Sequence, residues 1–279
     1  MIRATEADRP AIEAFLKQYI ATSMFPLSNL RRHGMAGGHN FAMNFWVRWQ
    51  SGKIIDLVGV SEEGLLFPQC PNRSWGQVKA VLTGSAVKGM LGDGAQIAQL
   101  RGVLGLPEHG GLDDEEPLYE LDLKALQVPD CTGFTLCALK DAPRDLIIGW
   151  RRAYLEEVLP MPGEDFDQKA KDDIDSYLAN DTHRVLYQGA HPVAMTGFNA
   201  ALPEAVQIGA VYTPPKDRSR GLARRAVAMH LQEAQAAGVG RAILFAASLQ
   251  ACKAYEAIGF QRTGRFTILV YEHPQVIYG

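Results

Sequence analysis

No stretch of the 279-residue chain approaches the ~18 consecutive apolar residues of a membrane span. The opening, MIRATEADRPAIEAFLKQYI, carries charges where a secretory leader would be apolar. These two absences lead to an expected cytoplasmic location with no membrane partner. The four cysteines, Cys70, Cys131, Cys137 and Cys252, show no CxxC spacing and have no paired histidines nearby. That excludes a recognisable zinc site or dithiol redox motif and leaves buried or free thiols. The acidic stretch HGGLDDEE (109–116) lacks alternating oxygen-ligand spacing and reads as a solvated loop, so no metal is expected. The net charge of −3 shows no basic excess to hold nucleic acid. GxxxxGK[ST] is missing, and no GxGxxG follows a strand, so ATP-loop and dinucleotide readings lose support.

What is present describes a globular protein. Apolar residues make up 47% and charged residues 21%, enough for a sizeable core, and the length favours two domains over one. The first half reads as a strand over 1–5 and a helix from Asp8 with Ile12, Phe15, Leu16, Tyr19 and Ile20 at helical spacing. Three strands follow (FAMNFWVRW, KIIDLVGV, GLLFPQC), then a helix over 74–82, a strand at AVKGML, a helix over 94–104 and a strand at LYELDL. The second half repeats that order. A strand over 132–140 leads to a helix capped by Asp141, a second helix at FDQKAKDDIDSYLAN and strands at HRVLYQG, HPVAMTGFNA and VQIGAVYT. A helix over 219–237, a strand at RAILFA, a helix at SLQACKAYEAIGF and a final pair of strands complete it. The repeated order predicts an internal duplication with its junction near 127–131, at QVPDC.

Three segments fit a pattern of Arg or Gln, two residues, Gly, one residue, then Gly or Ala: RRHGMA (31–36), RSRGLA (218–223) and QAAGVG (235–240). Only a helix that starts just after a strand points converging N–H groups at phosphate oxygens. RRHGMA leads into a strand-like segment, and QAAGVG ends a helix, where the dipole is negative. RSRGLA follows a β-rich run stopped by two prolines and opens a long amphipathic helix. Gly221 permits close backbone approach there, and a basic first turn is disfavoured unless an anion sits against it.

AVYTPPKDRSRGLARRAV, followed some thirty residues on by AYEAIGF, resembles the acetyl-CoA-binding core of GNAT-superfamily N-acetyltransferases over about 131–279. The first half, with its ATEADRPAIEAF opening and MFPLSNL segment, is similar to the degenerate N-terminal domain of tandem-GNAT proteins. The resemblance implies an α/β (α+β) fold of two GNAT-like domains, each a mixed, mostly antiparallel central sheet flanked by helices. Their expected bounds are 1–128 for the degenerate domain and 129–279 for the acetyl-CoA-binding one.

The resemblance also implies roles for particular residues. The backbone of Val211 and Thr213 would pair with the pantetheine arm, and the N–H groups of Arg218, Ser219, Arg220, Gly221, Leu222 and Ala223 would hold the pyrophosphate. Tyr255 falls where the family's tyrosine reaches the cofactor sulfur, with aromatic packing as the plainer reading. Ser248 replaces an asparagine common in the family and can still hydrogen-bond the cofactor. The strand before the motif has no central carboxylate, so Glu204 at its edge, His183 and water all stay open as the base. The implied activity moves an acetyl group from acetyl-CoA to a small-molecule or amino-acid-like amine. A non-catalytic acyl-CoA sensor is the alternative. Transfer from charged tRNA would need a basic groove that the chain's slight acidity does not suggest.

Overall fold

The alternation in MNFWVRWQ buries Met43, Phe45 and Val47 and leaves Asn44, Trp46 and Arg48 half-buried. This strand returns antiparallel as Lys53–Ser61 through Ser51 and Gly52, whose φ values of 49° and 74° give the turn the twist a tight hairpin needs. In the computed structural model, which describes residues 1–160 and 163–279, the chain forms two units. One contains Met1–Glu116 with Gly264–Gly279, the other Pro117–Thr263.

The first unit runs β1 (Ile2–Arg3), α1 (Arg9–Gln18), α2 (Ile20–His33), β2 (Met43–Gln50), β3 (Lys53–Ser61), β4 (Leu65–Gln69), α3 (Trp75–Leu82), β5 (Ala86–Asp93), α4 (Gly94–Leu104) and the start of β6 (Leu112–Asp122). The second continues from β6 through β7 (Phe134–Ala138), α5 (Arg144–Val158), α6 (Phe166–Asn180), β8 (His183–Gln188), β9 (His191–Ala201), β10 (Ala205–Tyr212), α7 (Leu222–Ala236), β11 (Arg241–Phe245) and α8 (Leu249–Glu256). Strand β12 (Gln261–Val276) then carries the chain back to the first unit, where Phe266–Val276 pairs with β5.

Strand order is β1-β2-β3-β4-β5-β12 in the first unit and β6-β11-β10-β9-β8-β7 in the second. The pairs β4/β5 and β10/β11 are parallel, and the other registered pairs are antiparallel. The expected duplication of element order is therefore visible strand by strand. The boundary falls elsewhere than 128/129. Leu118–Asp122 of β6 pairs with β11, which keeps 117–128 with the second unit, and pairing with β5 assigns 264–279 to the first.

Other differences have local causes. The MFPLSNL segment lies in α2, because Ile20, Met24, Leu27 and Leu30 recur at helical spacing and bury fully or nearly so. That packing outweighs Pro26, which removes one helical N–H. The acidic stretch ends inside β6 rather than in a loop. There Glu116 is partly buried, and burial first, with Asp114 second, pushes its carboxyl up to about 7. Asp141 lies in a 3-10 turn, and Pro143 precedes α5 in place of a side-chain cap. The final pair of strands is the one strand β12, with a register shift between Val270 and Gln275.

In the second unit, Val206, Ile208, Val227, Leu231, Leu244 and Tyr255 pack as one cluster. Ile147, Trp150, Ile174, Val185, Met195 and Tyr212 form another. Two histidines are buried in this unit. The His183 ring stacks on Tyr177 at 3.5 Å and lies over Gly197, where an added Cβ would fall 2.1 Å from the imidazole. His230 stacks on Phe198 at 3.8 Å. Burial, then the charge of His230, holds His183 well below the ordinary histidine range, and burial lowers His230 to about 3.

Both rings fold neutral, while in the unfolded chain they take up protons below about pH 6.5, so protons favour unfolding in that window. The contribution is fully present above about pH 6.5 and is lost as pH falls toward the folded values. Urea unfolding is expected to show the chain less stable at pH 5 than at pH 7.5, with about 2 kcal/mol of the loss from His230 alone. His230→Gln should reduce that slope, and an unchanged slope would show that the ring is not held neutral.

Candidate functional site

The site begins where two strands part. β10 pairs in parallel with β11 through Ala205, Val206 and Gln207, opposite Arg241, Ala242 and Ile243. Beyond Gln207, β11 stays with β6 (Leu244↔Tyr119, Phe245↔Leu118), while β10 stays with β9 (Ile208↔Phe198, Gly209↔Gly197). Ala210, at φ 51°, lies in the register shift between Gly209 and Tyr212 and bends β10 further. Its last residues therefore turn one backbone edge into a cleft.

Pro214 and Pro215 then stop the strand, and the loop reaches α7 through Ser219 (φ 63°) and Gly221 (φ 70°). Gly221 occupies the cap position in the left-handed region, so the first N–H groups of α7 have no partners within the helix. A Cβ on Gly221 would meet Arg224 Nε and Arg225 Nη1, each at 3.1 Å. Arg225 is a brace. Its Nη1 donates to the carbonyls of Arg220 (2.9 Å) and Gly221 (3.3 Å), and its Nε donates to that of Asp130 (2.8 Å). Arg224 Nε is buried with no hydrogen-bond partner.

These parts enclose a cavity of about 630 Å3. Nine of the ten residues expected from the sequence line it: Val211, Thr213, Arg218, Ser219, Gly221, Leu222, Ala223, Ser248 and Tyr255. Arg220 does not. Its guanidinium turns away to Asp217 Oδ1 and Gln188 Oε1, both at 2.8 Å. Arg218 donates to Glu157 Oε2 (2.6 Å) and to the Thr213 carbonyl (3.0 Å) and sits 5.8 Å from the Tyr212 ring centre. Ser248 is the cap of α8, its Oγ accepting from the Ala251 N–H at 3.2 Å. Tyr255 is 8% exposed and edge-on to Phe260 at 6.0 Å, so it packs in the core and also faces the cavity. Neither Glu204 nor His183 lines the cavity.

The sequence reading missed Tyr154, Glu157 and Val158 from α5, and Arg224, Gln250 and Lys253. Arg224 and Lys253 stand one residue past the motif and two before Tyr255, so proximity to recognised positions was the available signal. The lining suits an elongated anion with amide groups. Thr213 Oγ1 and Arg224 Nε are buried polar atoms without protein partners, the α7 terminus presents N–H donors, and the β10 edge offers strand-like pairing. Among the described residues there is no cluster of side chains suited to a metal ion.

The equivalent junction in the first unit is closed. Here β4 and β5 pair only at Leu65↔Gly89 and Leu66↔Met90, and the chain then turns toward α3. Asp56, fully buried, accepts from the Asn72 N–H (2.8 Å) and the hydroxyl of Ser74, which precedes α3 and makes no side-chain cap to it. The Cys70 N–H donates to Gln96 Oε1 at 2.6 Å, and Pro68 and Pro71 have no N–H. A carboxylate of the chain thus stands where the second unit offers unpaired donors.

Residues 144–260 match the family model described as Acetyltransferase (GNAT) family. No curated protein matches the chain significantly. Among solved structures, a Drosophila protein aligns with a TM-score of 0.62 at 12% identity, covering 97% of this chain and 98% of that one. A tandem GNAT protein from the clavulanic acid biosynthesis pathway aligns at 0.56 and 12% identity, covering 98% of each chain. A GCN5-related N-acetyltransferase from Sphaerobacter thermophilus aligns at 0.56 and 16% identity, covering 100% of this chain and 95% of that one. The fold, a mixed α/β arrangement with GNAT and tandem-GNAT neighbours, is as expected from the sequence.

Removing the cap on α8 with Ser248→Ala is expected to lower stability by about 1 kcal/mol in urea unfolding. A variant as stable as the parent would show that the Ser248 hydroxyl does not cap that helix.

Proposed function

Because residues 144–260 are an acetyltransferase domain of the GNAT family, we propose that the chain is an N-acetyltransferase that moves an acetyl group from acetyl-CoA to the amine of a small-molecule or amino-acid-like acceptor. The observation that carries this reading is one cavity lined by the diverging end of β10, the open N-terminus of α7 and Tyr255.

Acetyl-CoA supplies the activated thioester and its leaving thiolate. The N–H groups from Ser219 to Ala223 and the Arg224 guanidinium hold the diphosphate, with the dipole of α7 adding to the attraction. Val211 and Thr213 offer main-chain groups to the pantetheine arm, and an N–H on this freed edge polarises the thioester carbonyl as the amine attacks. Tyr255 donates a hydrogen bond to the departing sulfur. A phenol, with an ordinary pKa of about 10, is a weaker acid than a thiol at about 8.5, so its proton moves late. Of the three bases the sequence leaves open, Glu204 and His183 lie outside the cavity lining, which leaves water to take the amine proton.

In this reading the first unit binds no acetyl-CoA, because Asp56 already places a negative charge at the start of α3. The proposal includes a cytoplasmic protein without nucleic-acid or membrane partners. No helix among the described residues is long and apolar enough to cross a membrane. Thiol release from acetyl-CoA across a panel of amines tests turnover, and tight acetyl-CoA binding with no release from any amine would favour a sensor.

Gly221→Glu should abolish acetyl-CoA binding by calorimetry. The substitution strains a left-handed position, crowds Arg224 and Arg225, and sets a like charge against the diphosphate. Binding as tight as the parent's would overturn the placement. Tyr255→Phe should lower kcat by roughly 10 to 1,000-fold and leave the dissociation constant for CoA within a few-fold. An unchanged kcat, with chemistry rate-limiting, would reduce Tyr255 to a packing residue.

A further inference from the structure

The second unit has another cavity, of about 460 Å3, that shares Asp217 with the acyl-donor cavity and is otherwise lined by different residues. Its apolar wall includes Trp150, Val193 and Pro214, all largely buried. Gln188, His191, Lys216, Asp217 and Arg220 supply the polar part of the lining. Asp217 is the carboxylate among the lining residues, and it is engaged by Arg220 at 2.8 Å. Arg220 is further fixed by its hydrogen bond to Gln188 Oε1 at 2.8 Å. Lys216 makes no ion pair with another described residue. With Arg220 balanced by Asp217, the cleft keeps the charge of Lys216, and the imidazole of His191 adds a hydrogen-bonding group.

A cation beside a low-dielectric wall attracts anions more strongly than one in open water. A flat apolar body matches the indole and proline side, and an oxyanion matches Lys216 and His191. The volume lies within the ordinary range for small-molecule sites. From this arrangement we propose that the cavity is a separate binding site for a small aromatic oxyanion, a ring bearing a carboxylate or a phosphate. The site accounts for the outward turn of Arg220. Although it belongs to the RSRGLA segment, its guanidinium forms part of this second cavity rather than the first. The inference does not depend on the acyl-donor reading, since no acetyl-CoA contact enters it.

Ligand-observed NMR titrations of the full chain test it, with benzoate and phenyl phosphate as probes for the two oxyanion types and benzyl alcohol as the uncharged control. Saturable binding of at least one aromatic anion is expected, at least tenfold tighter than benzyl alcohol and unaffected by saturating CoA. Lys216→Glu should weaken that binding at least tenfold, and Lys216→Ala several-fold, with circular dichroism unchanged. Because Lys216 is exposed, both variants are expected to fold, and the alanine variant alone suffices if the glutamate one does not. The proposal is overturned if neither anion saturates, if benzyl alcohol binds as well, or if the folded Lys216 variants bind like the parent. Displacement by CoA also overturns it, since the cavity would then be the outer end of the acyl-donor site.

Discussion

Everything about the candidate site depends on the parting of β10 from β11 after Gln207. A central strand normally spends both edges on ladder hydrogen bonds and has none left for a ligand. Here the parallel ladder lasts three residue pairs, and the bulge at Ala210 directs the rest of β10 along β9. Backbone groups are thereby left available inside the fold, next to a helix start that is itself short of acceptors. Substrate binding can then use main-chain geometry, with side chains adding charge and shape.

The two units show how much of this depends on electrostatics rather than topology. Each has one parallel pair followed by a loop and a helix, and each pair is short. In the first unit the charge at the helix start comes from Asp56, bridged to Arg48 at 3.1 Å and hydrogen-bonded to the loop. A fully buried carboxylate with three partner residues is a settled structural element. In the second unit the corresponding region is basic and incompletely satisfied, with Arg224 Nε lacking a partner. The same backbone plan thus yields a closed joint in one place and a receptive one in the other.

What the sequence made legible follows the range of the interactions. The α7 start could be placed because strand, prolines, glycine and helix are consecutive. Tyr255 could be placed because its helix follows at a fixed interval. Side-chain direction was not legible. The six-residue pattern fixes backbone conformation, and the direction of Arg220 is set by Asp217 together with Gln188, thirty-two positions earlier in the chain. Glu157 was missed for the same reason, since it meets Arg218 across a separation of 61. The proline near 129 looked like a domain junction, yet 118–122 had already joined β11 through pairing that no local pattern reports.

The exchange of strands bears on how the chain is made. The residues that cover the open edge of β5 are Phe266–Val276, and the whole second unit is synthesised between β5 and this partner. During translation the first unit therefore waits with a row of unpaired N–H and C=O groups along β5, the kind of edge that recruits foreign strands. The second unit meets no such delay, because the strand that pairs with β11, Leu118–Asp122, emerges ahead of it. The order of completion is thus reversed relative to the order of synthesis: the C-terminal unit can close first, and the N-terminal unit is finished by the strand that comes after it.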